Sequence, residues 1–389
     1  MPFASALSLH PHTATAVGEV VGEVLDHLGG APDLAFLFAT PGHLPEFEQA
    51  TSTIQALLNP AVFVGTSASG VLAGGDAVET RPGIALWAGR WPAQTAAAGH
   101  ITPYVLEAQR SQGGGDNLEF RGLPTLAADP AVSLILLADP FTFPVEEFLG
   151  AIRRDHPLVP VIGGLSSAAH TPTGNRHTIG GRVLRSGAVA VVVPNSLMRA
   201  PLVSQGCRPI GSPMTVTKSM DNVLYELAGR PALDVVLELV EGLAPADRAL
   251  AELGLHCGIV VNDSQLEFGR GDFLIRGVLG ASREHRAVVI GDNAPIGTTI
   301  QFQVRDAATA GEDLEFLLLA QPDPTDGALL FTCNGRGEAM FGSSSHDAEI
   351  VARDVSRGLA GMFCSGEIGP IGDRNVVHGF TASLARFRE

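Results

Sequence analysis

LAFLFAT (residues 34–40), AVFVG (residues 61–65) and the small-residue loop GTSASG (residues 65–70) decide how this chain is read. The first run is short enough for a buried strand. Residues 45–57 then carry amphipathic helical spacing, with Phe47, Ile54, Leu57 and Leu58 on the apolar side. AVFVG is a second strand that ends in the loop, and IALWAG from Ile84 is a further strand.

The same order returns about one hundred residues later. SLILLAD (residues 133–139) is a strand, and Pro144 opens a helix through EEFLGAIRRD. Proline fits there because the first turn of a helix does not use its missing N–H. VPVIGG, the loop GLSSAAH and the strand AVAVVV follow. A third copy closes the chain: ALLFTC, a helix over residues 346–357, GMFC, the loop SGEIGP and the strand region VVHGFTASLARF.

Each copy reads strand, helix, strand, Gly-rich loop, strand. A strand–helix–strand unit makes a right-handed parallel crossover and needs both faces of its sheet covered. The expected fold is therefore α/β: layered mixed sheets built from repeated strand–helix–strand units, in two domains. The repeats predict that GTSASG, GLSSAAH and SGEIGP are equivalent loops, with Gly65, Gly164 and Gly366 at corresponding positions.

Residues 201–221 change character, with Pro, Gly and β-formers in PLVSQGCRPIGSPMTVTK, which marks a junction near residue 200. Helices are expected over residues 232–241 and 308–319. Between them HCGIVV, FLIRGVLG, RAVVIGD and TIQFQVRD read as an antiparallel meander. Residues 111–116 and 321–326 are expected surface loops.

At 389 residues, 45 % apolar and 17 % charged, the chain buries large cores. Its net charge of −16 repels phosphate backbones and anionic membranes, so neither nucleic acid nor membrane is an expected partner. The start MPFASALSLHPH shows no signal peptide, and no apolar run is long enough to span a bilayer. Cys207, Cys257, Cys333 and Cys364 are widely spaced, without a Cys-x-x-Cys pair. These features place the protein in the reducing cytoplasm. No Walker A loop, His-Glu-x-x-His or EF-hand spacing occurs, so no metal or nucleotide cofactor is expected.

Several segments, in order, resemble the FIST family (F-box and intracellular signal transduction). GCRPIGSPMTVTKSMDNVLYELAGRPALDVV, FLIRGVLG, GDNAPIGTTIQFQVRDA, FTCNGRGEAMFG and SGEIGPIGDRNVVHGFT are similar to its C-terminal module. IGGLSSAAH is the clearest piece of the N-terminal one. The resemblance implies residues 1–30 as a lead-in, 31–200 as the FIST N-terminal domain and 201–389 as the C-terminal domain. It also implies a sensory module for small ligands, suggested to be amino acids or their derivatives. Family members occur alone, with bacterial signalling domains or in F-box proteins. This chain looks like the free-standing form, with a signalling partner still to be identified.

Within CNGRGEAMFG, Gly335 and Gly337 flank Arg336, so successive backbone N–H groups can form an anion-binding concavity. The Arg336 guanidinium can take a carboxylate bidentately. Glu367 lies in the matching loop after the next strand and can accept from an ammonium group. An α-amino acid suits this pair, with Cys333, Asn334 and His378 as neighbouring ligand contacts. Ser67 and Ser166 tempt a nucleophile-elbow reading, but Ser69 and Ala168 stand where that motif needs glycine. They are expected to be loop or ligand-lining residues. Arg276 in FLIRG either pairs with a carboxylate or points into a pocket. Cys333 and Cys364 end the two strands feeding the loops. They leave open a cysteine-dependent acyl-transfer or hydrolytic enzyme, and a protein-interaction platform is a third reading.

Overall fold

The structure is a computed structural model that describes residues 2–110, 118–123, 131–262, 268–269, 271–321, 323 and 325–389. The loop expected at residues 111–116 lies outside them. The chain forms two compact units. One comprises Met1–Val203, Leu314–Val377 and Thr381–Glu389; the other comprises Ser204–Asp313 and His378–Phe380. The second begins beside the junction expected near residue 200, but the C-terminal repeat packs in the first.

All three repeats build the same module in the first unit. In the first module, Leu34–Ala39 runs parallel to Val62–Ser67, the helix Phe47–Leu58 connects them, and Ile84–Gly89 pairs antiparallel to the first strand. The second module uses Val132–Ala138, the helix Val145–Asp155, Val161–Leu165 and Ala188–Pro194 in those roles. The third uses Gly327–Cys333, the helix His346–Asp354, Leu359–Cys364 and Thr381–Phe387. Leu57, expected on the buried side of its helix, is exposed.

A hairpin leaves each module to extend a neighbour's sheet. Val71–Ala73 of the first pairs with Leu359–Cys364 of the third. Glu367–Ile371 of the third pairs with Val161–Leu165 of the second. His177–Ile179 of the second pairs with Val62–Ser67 of the first, which closes the ring. Three modules are thus joined cyclically by main-chain hydrogen bonds.

Strand alternation explains the layers. Phe36 and Phe38, Ile135 and Leu137, and Leu329 and Phe331 enter one shared core. Leu37, Leu136 and Leu330, one residue out of phase, turn outward under the helices of their own modules. The expected lead-in is structured as well. Phe3–Ser8 adds antiparallel to Ile84–Gly89, and the helix Thr13–Leu28 packs its Val17, Val20, Val21 and Val24 over that sheet.

The register corrects the expected glycine equivalence. Leu37 faces Gly65, Leu136 faces Gly163 and Leu330 faces Gly361. A Cβ on these glycines would stand 2.4, 1.9 and 1.8 Å from the partner leucine's carbonyl oxygen. Gly164 instead lies where the first module has Thr66. Gly366 lies in the loop, where Gly70 is its counterpart: the Phe363 N–H donates to the Gly70 carbonyl as the Leu165 N–H donates to that of Gly366. The third module has no Gly-Gly pair, so its loop glycine stood out in the sequence in place of its strand glycine.

In the second unit, Met214–Met220, Val223–Leu227, Ala287–Ile290, Phe273–Ser282, Leu255–Val260 and Thr299–Arg305 pair antiparallel in that order. Thr299–Arg305 then pairs with Met214–Met220, so the expected meander is instead a closed sheet. Closure removes the exposed edges that a meander would leave. The helix Ala232–Gly242 covers it through Val235 and Val236. Among the described residues, no helix is long and apolar enough to cross a membrane.

Candidate functional site

The register makes Ser69, Ser167 and Ser365 equivalent, and these loops meet. The Ser69 N–H donates to Ser167 Oγ at 2.8 Å, Ser167 Oγ donates to the Phe363 carbonyl, and Ser365 Oγ donates to the Ser166 carbonyl at 3.2 Å. Ser166 Oγ shares a 2.7 Å hydrogen bond with Thr66 Oγ1, and Ser67 Oγ accepts from the Arg176 N–H at 2.9 Å. Ser67 and Ser166 are fully buried, with these hydroxyls bonded to protein. They tie the modules together.

The third module holds a denser cluster. Arg336 is buried and its fork closes on Asp347, with Nε–Oδ2 at 2.8 Å and Nη2–Oδ1 at 2.9 Å. Thr332 Oγ1 donates to Asp347 at 2.6 Å, and His346 Nδ1 lies 3.1 Å from its other oxygen. Burial works against the Asp347 charge, but Arg336, His346 and Thr332 hold the carboxyl well below the usual range. The pairing that the sequence reserved for a ligand's carboxylate is therefore made by Asp347. The glycine concavity is occupied too: the Glu338 N–H donates to the Glu79 carboxylate at 2.8 Å. A Cβ on Gly337 would stand 2.1 Å from the Glu79 carboxylate, so a larger residue there would displace that side chain.

Glu367 is fully buried, as its opening place on the hairpin strand dictates. Its Oε2 accepts from the Thr381 N–H at 3.1 Å and from Thr381 Oγ1 at 2.8 Å. Its Oε1 has no hydrogen bond of acceptable geometry among the described residues. Burial pushes this carboxyl up to about 8, against Thr381, Arg336 and the adjacent Cys333 thiol, which favour the charge. Cys333 and Glu367 are thus neighbours, as expected. Cys364, opposite Cys333 in register, is fully buried, and burial drives its thiol far up, away from a nucleophile's range.

The hairpins place His177 opposite Thr66, Glu367 opposite Gly164 and Val71 opposite Met362. Those partners are equivalent, so Val71, His177 and Glu367 are equivalent. His177 is fully buried, and neither ring nitrogen has a hydrogen-bond partner among the described residues. Burial lowers its pKa to about 4, opposed by Asp139. Asp139 accepts from Asn175 Nδ2 at 2.8 Å and Thr142 Oγ1 at 2.6 Å. Sequence reasoning missed His177 and Asp139. The repeat alignment would have found them only with the correct glycine register.

Asn334 is exposed and lies beside Cys333, whose Sγ stands 3.8 Å from Asn334 Oδ1. His378 is buried and belongs to the second unit. Arg276, in the same unit, pairs with Asp292 at 2.9 Å, one of its two expected arrangements. The structure brings together Cys333, Arg336 and Glu367.

Comparison with known proteins fits this architecture. The chain is 39 % identical over 389 residues to "Uncharacterized protein Rv0628c" of Mycobacterium tuberculosis strain H37Rv, covering 98 % of each. It is 39 % identical over 385 residues to "Uncharacterized protein Mb0898c" of Mycobacterium bovis, covering 97 % of this chain and 96 % of that protein. The FIST N domain matches residues 33–230 and the FIST C domain matches residues 232–370. With two successive matches over most of its length, this chain belongs to the FIST family, whose domains are associated with sensing in signal transduction.

Proposed function

We propose that the chain is a cytoplasmic sensory protein that binds a small polar metabolite at Glu367 and Cys333 and signals its occupancy to a protein partner. The carrying observation is a fully buried carboxyl with one oxygen doubly bonded by Thr381 and, for the rest of the group, no stronger side-chain donor than the weak thiol of Cys333. An unsatisfied buried polar group costs about 1–3 kcal/mol, which a ligand donor offsets. An ammonium group fits, because it supplies both the hydrogen bond and the countercharge. The Glu79 carboxylate on the Glu338 N–H of the Arg336 loop supports a ligand carboxylate there. An amino acid would place its ammonium at Glu367 and its carboxylate in competition with Glu79. Entry then requires the Glu79–Glu338 contact to open.

A thermal-shift screen of amino acids and small amines tests this. A ligand raises the melting temperature by mass action, and Glu367→Gln abolishes the rise. A full panel without response at millimolar concentration, or a response retained in Glu367→Gln, would overturn the assignment.

A further inference from the structure

A separate cleft in the first unit carries an unusual charge arrangement for a chain of net charge −16. Arg199, Arg386 and Arg388 line a cleft of about 360 Å³ together with Asn195 and Gln321. Arg386 lies in the strand Thr381–Phe387, Arg388 follows directly after its end, and both line the cleft.

Among the described lining residues, Asp323 is the one carboxylate side chain, and it is held by Arg199 Nη1 at 2.9 Å. The hydrogen bonds of the other two arginines go to neutral groups. Arg386 donates to Thr325 Oγ1 and Gln321 Oε1, both at 2.8 Å, and to the carbonyls of Ala200 and Asp323 at 3.4 and 3.3 Å. Arg388 Nε donates to the Ser196 carbonyl at 2.7 Å. Arg199 Nε is buried with no acceptor among the described residues. Burial first, and then Arg199, disfavour the Arg386 charge, opposed by Asp354 and Asp323. Carbonyls orient guanidiniums without neutralising them, so the cleft carries positive charge, with the part-exposed Arg199 and Arg388 as the donors a ligand can reach.

We propose that this cleft binds a phosphate group, either as the free ion or as the monoester of a small metabolite. Guanidinium forks match phosphate oxygens in geometry and charge. The cleft's size is that of a small-molecule site. The assignment is independent of the Glu367 reading.

Calorimetric titration of the full chain with inorganic phosphate, glycerol 1-phosphate and malonate tests it. Saturable phosphate binding is expected, weakened about tenfold in Arg388→Gln and in Arg199→Gln and unchanged in Glu367→Gln. Arg388 and Arg199 are partly exposed, and circular dichroism confirms that their variants are folded. Tighter binding of glycerol 1-phosphate assigns the monoester; equal or weaker binding assigns the free ion. The proposal is overturned by absent phosphate binding at millimolar concentration, by unchanged affinity in folded Arg388→Gln, or by malonate binding where phosphate does not.

Discussion

Glu367→Gln gives the sharpest test of the sealed acidic site. Glutamine keeps an oxygen for the Thr381 donors and is neutral at every pH. In the folded chain the Glu367 carboxyl is pushed up to about 8, from an ordinary value of 4.5, by burial. The folded state therefore holds a proton that the unfolded state releases. The associated stability is fully present below pH 4.5 and is lost as the pH rises through 8. At about 1.4 kcal/mol per pH unit, the gap is worth about 5 kcal/mol, most of which falls between pH 5 and pH 8. Urea unfolding of both proteins at those two pH values isolates this share, because every other titrating group is common to them. The wild type should lose about 3–4 kcal/mol more than Glu367→Gln between pH 5 and pH 8. Equal losses would show that Glu367 titrates as an ordinary solvated carboxylate, and the site would not be sealed.

The His177 pKa is depressed to about 4 from 6.5, so its stability is present above pH 6.5 and lost as the pH falls through 4. His177→Phe should remove about 3 kcal/mol of acid sensitivity over that window, read from unfolding at pH 4 and pH 7. Gly361→Ala should sharply destabilise or prevent folding, because its Cβ would meet the Leu330 carbonyl at 1.8 Å. Gly22→Ala, on an open face of the helix Thr13–Leu28, should stabilise by about 0.5–1 kcal/mol in thermal melts. All four cysteines are buried, so a thiol reagent at neutral pH should label them only as the chain unfolds. Fast labelling of native Cys333 would instead favour the cysteine-enzyme reading.

The repeated modules were legible because each needs the same succession of buried strand, amphipathic helix and buried strand. Hydrophobic period reports that directly. What stayed hidden depends on pairing between distant segments. Nothing in LAFLFAT or GTSASG says that the hairpin of one module completes the sheet of another, since edge hydrogen bonds are made by the backbone. The closed sheet of the second unit was hidden for the same reason: TIQFQVR at Thr299–Arg305 alternates apolar and polar residues whichever neighbours it pairs with. At the site, the proximity of Cys333 to Glu367 followed from the strand order. The partner of Arg336 did not, because Asp347 reaches it from the helix His346–Asp354.

The cyclic arrangement also separates what the fold requires from what it carries. Val71, His177 and Glu367 share one structural position, opposite equivalent residues of neighbouring second strands. Val71 shows that an aliphatic side chain satisfies that position, fully buried in the shared core. The architecture therefore does not demand a polar group there. Yet two of the three modules bury a titratable side chain at it, each with unmatched hydrogen-bonding capacity among the described residues. Burying a titratable side chain costs desolvation that a valine in the same place does not. A position where the fold accepts valine, and where acid and imidazole nonetheless persist with unmatched atoms, supports the proposal that a ligand's own polar atoms complete the structure there.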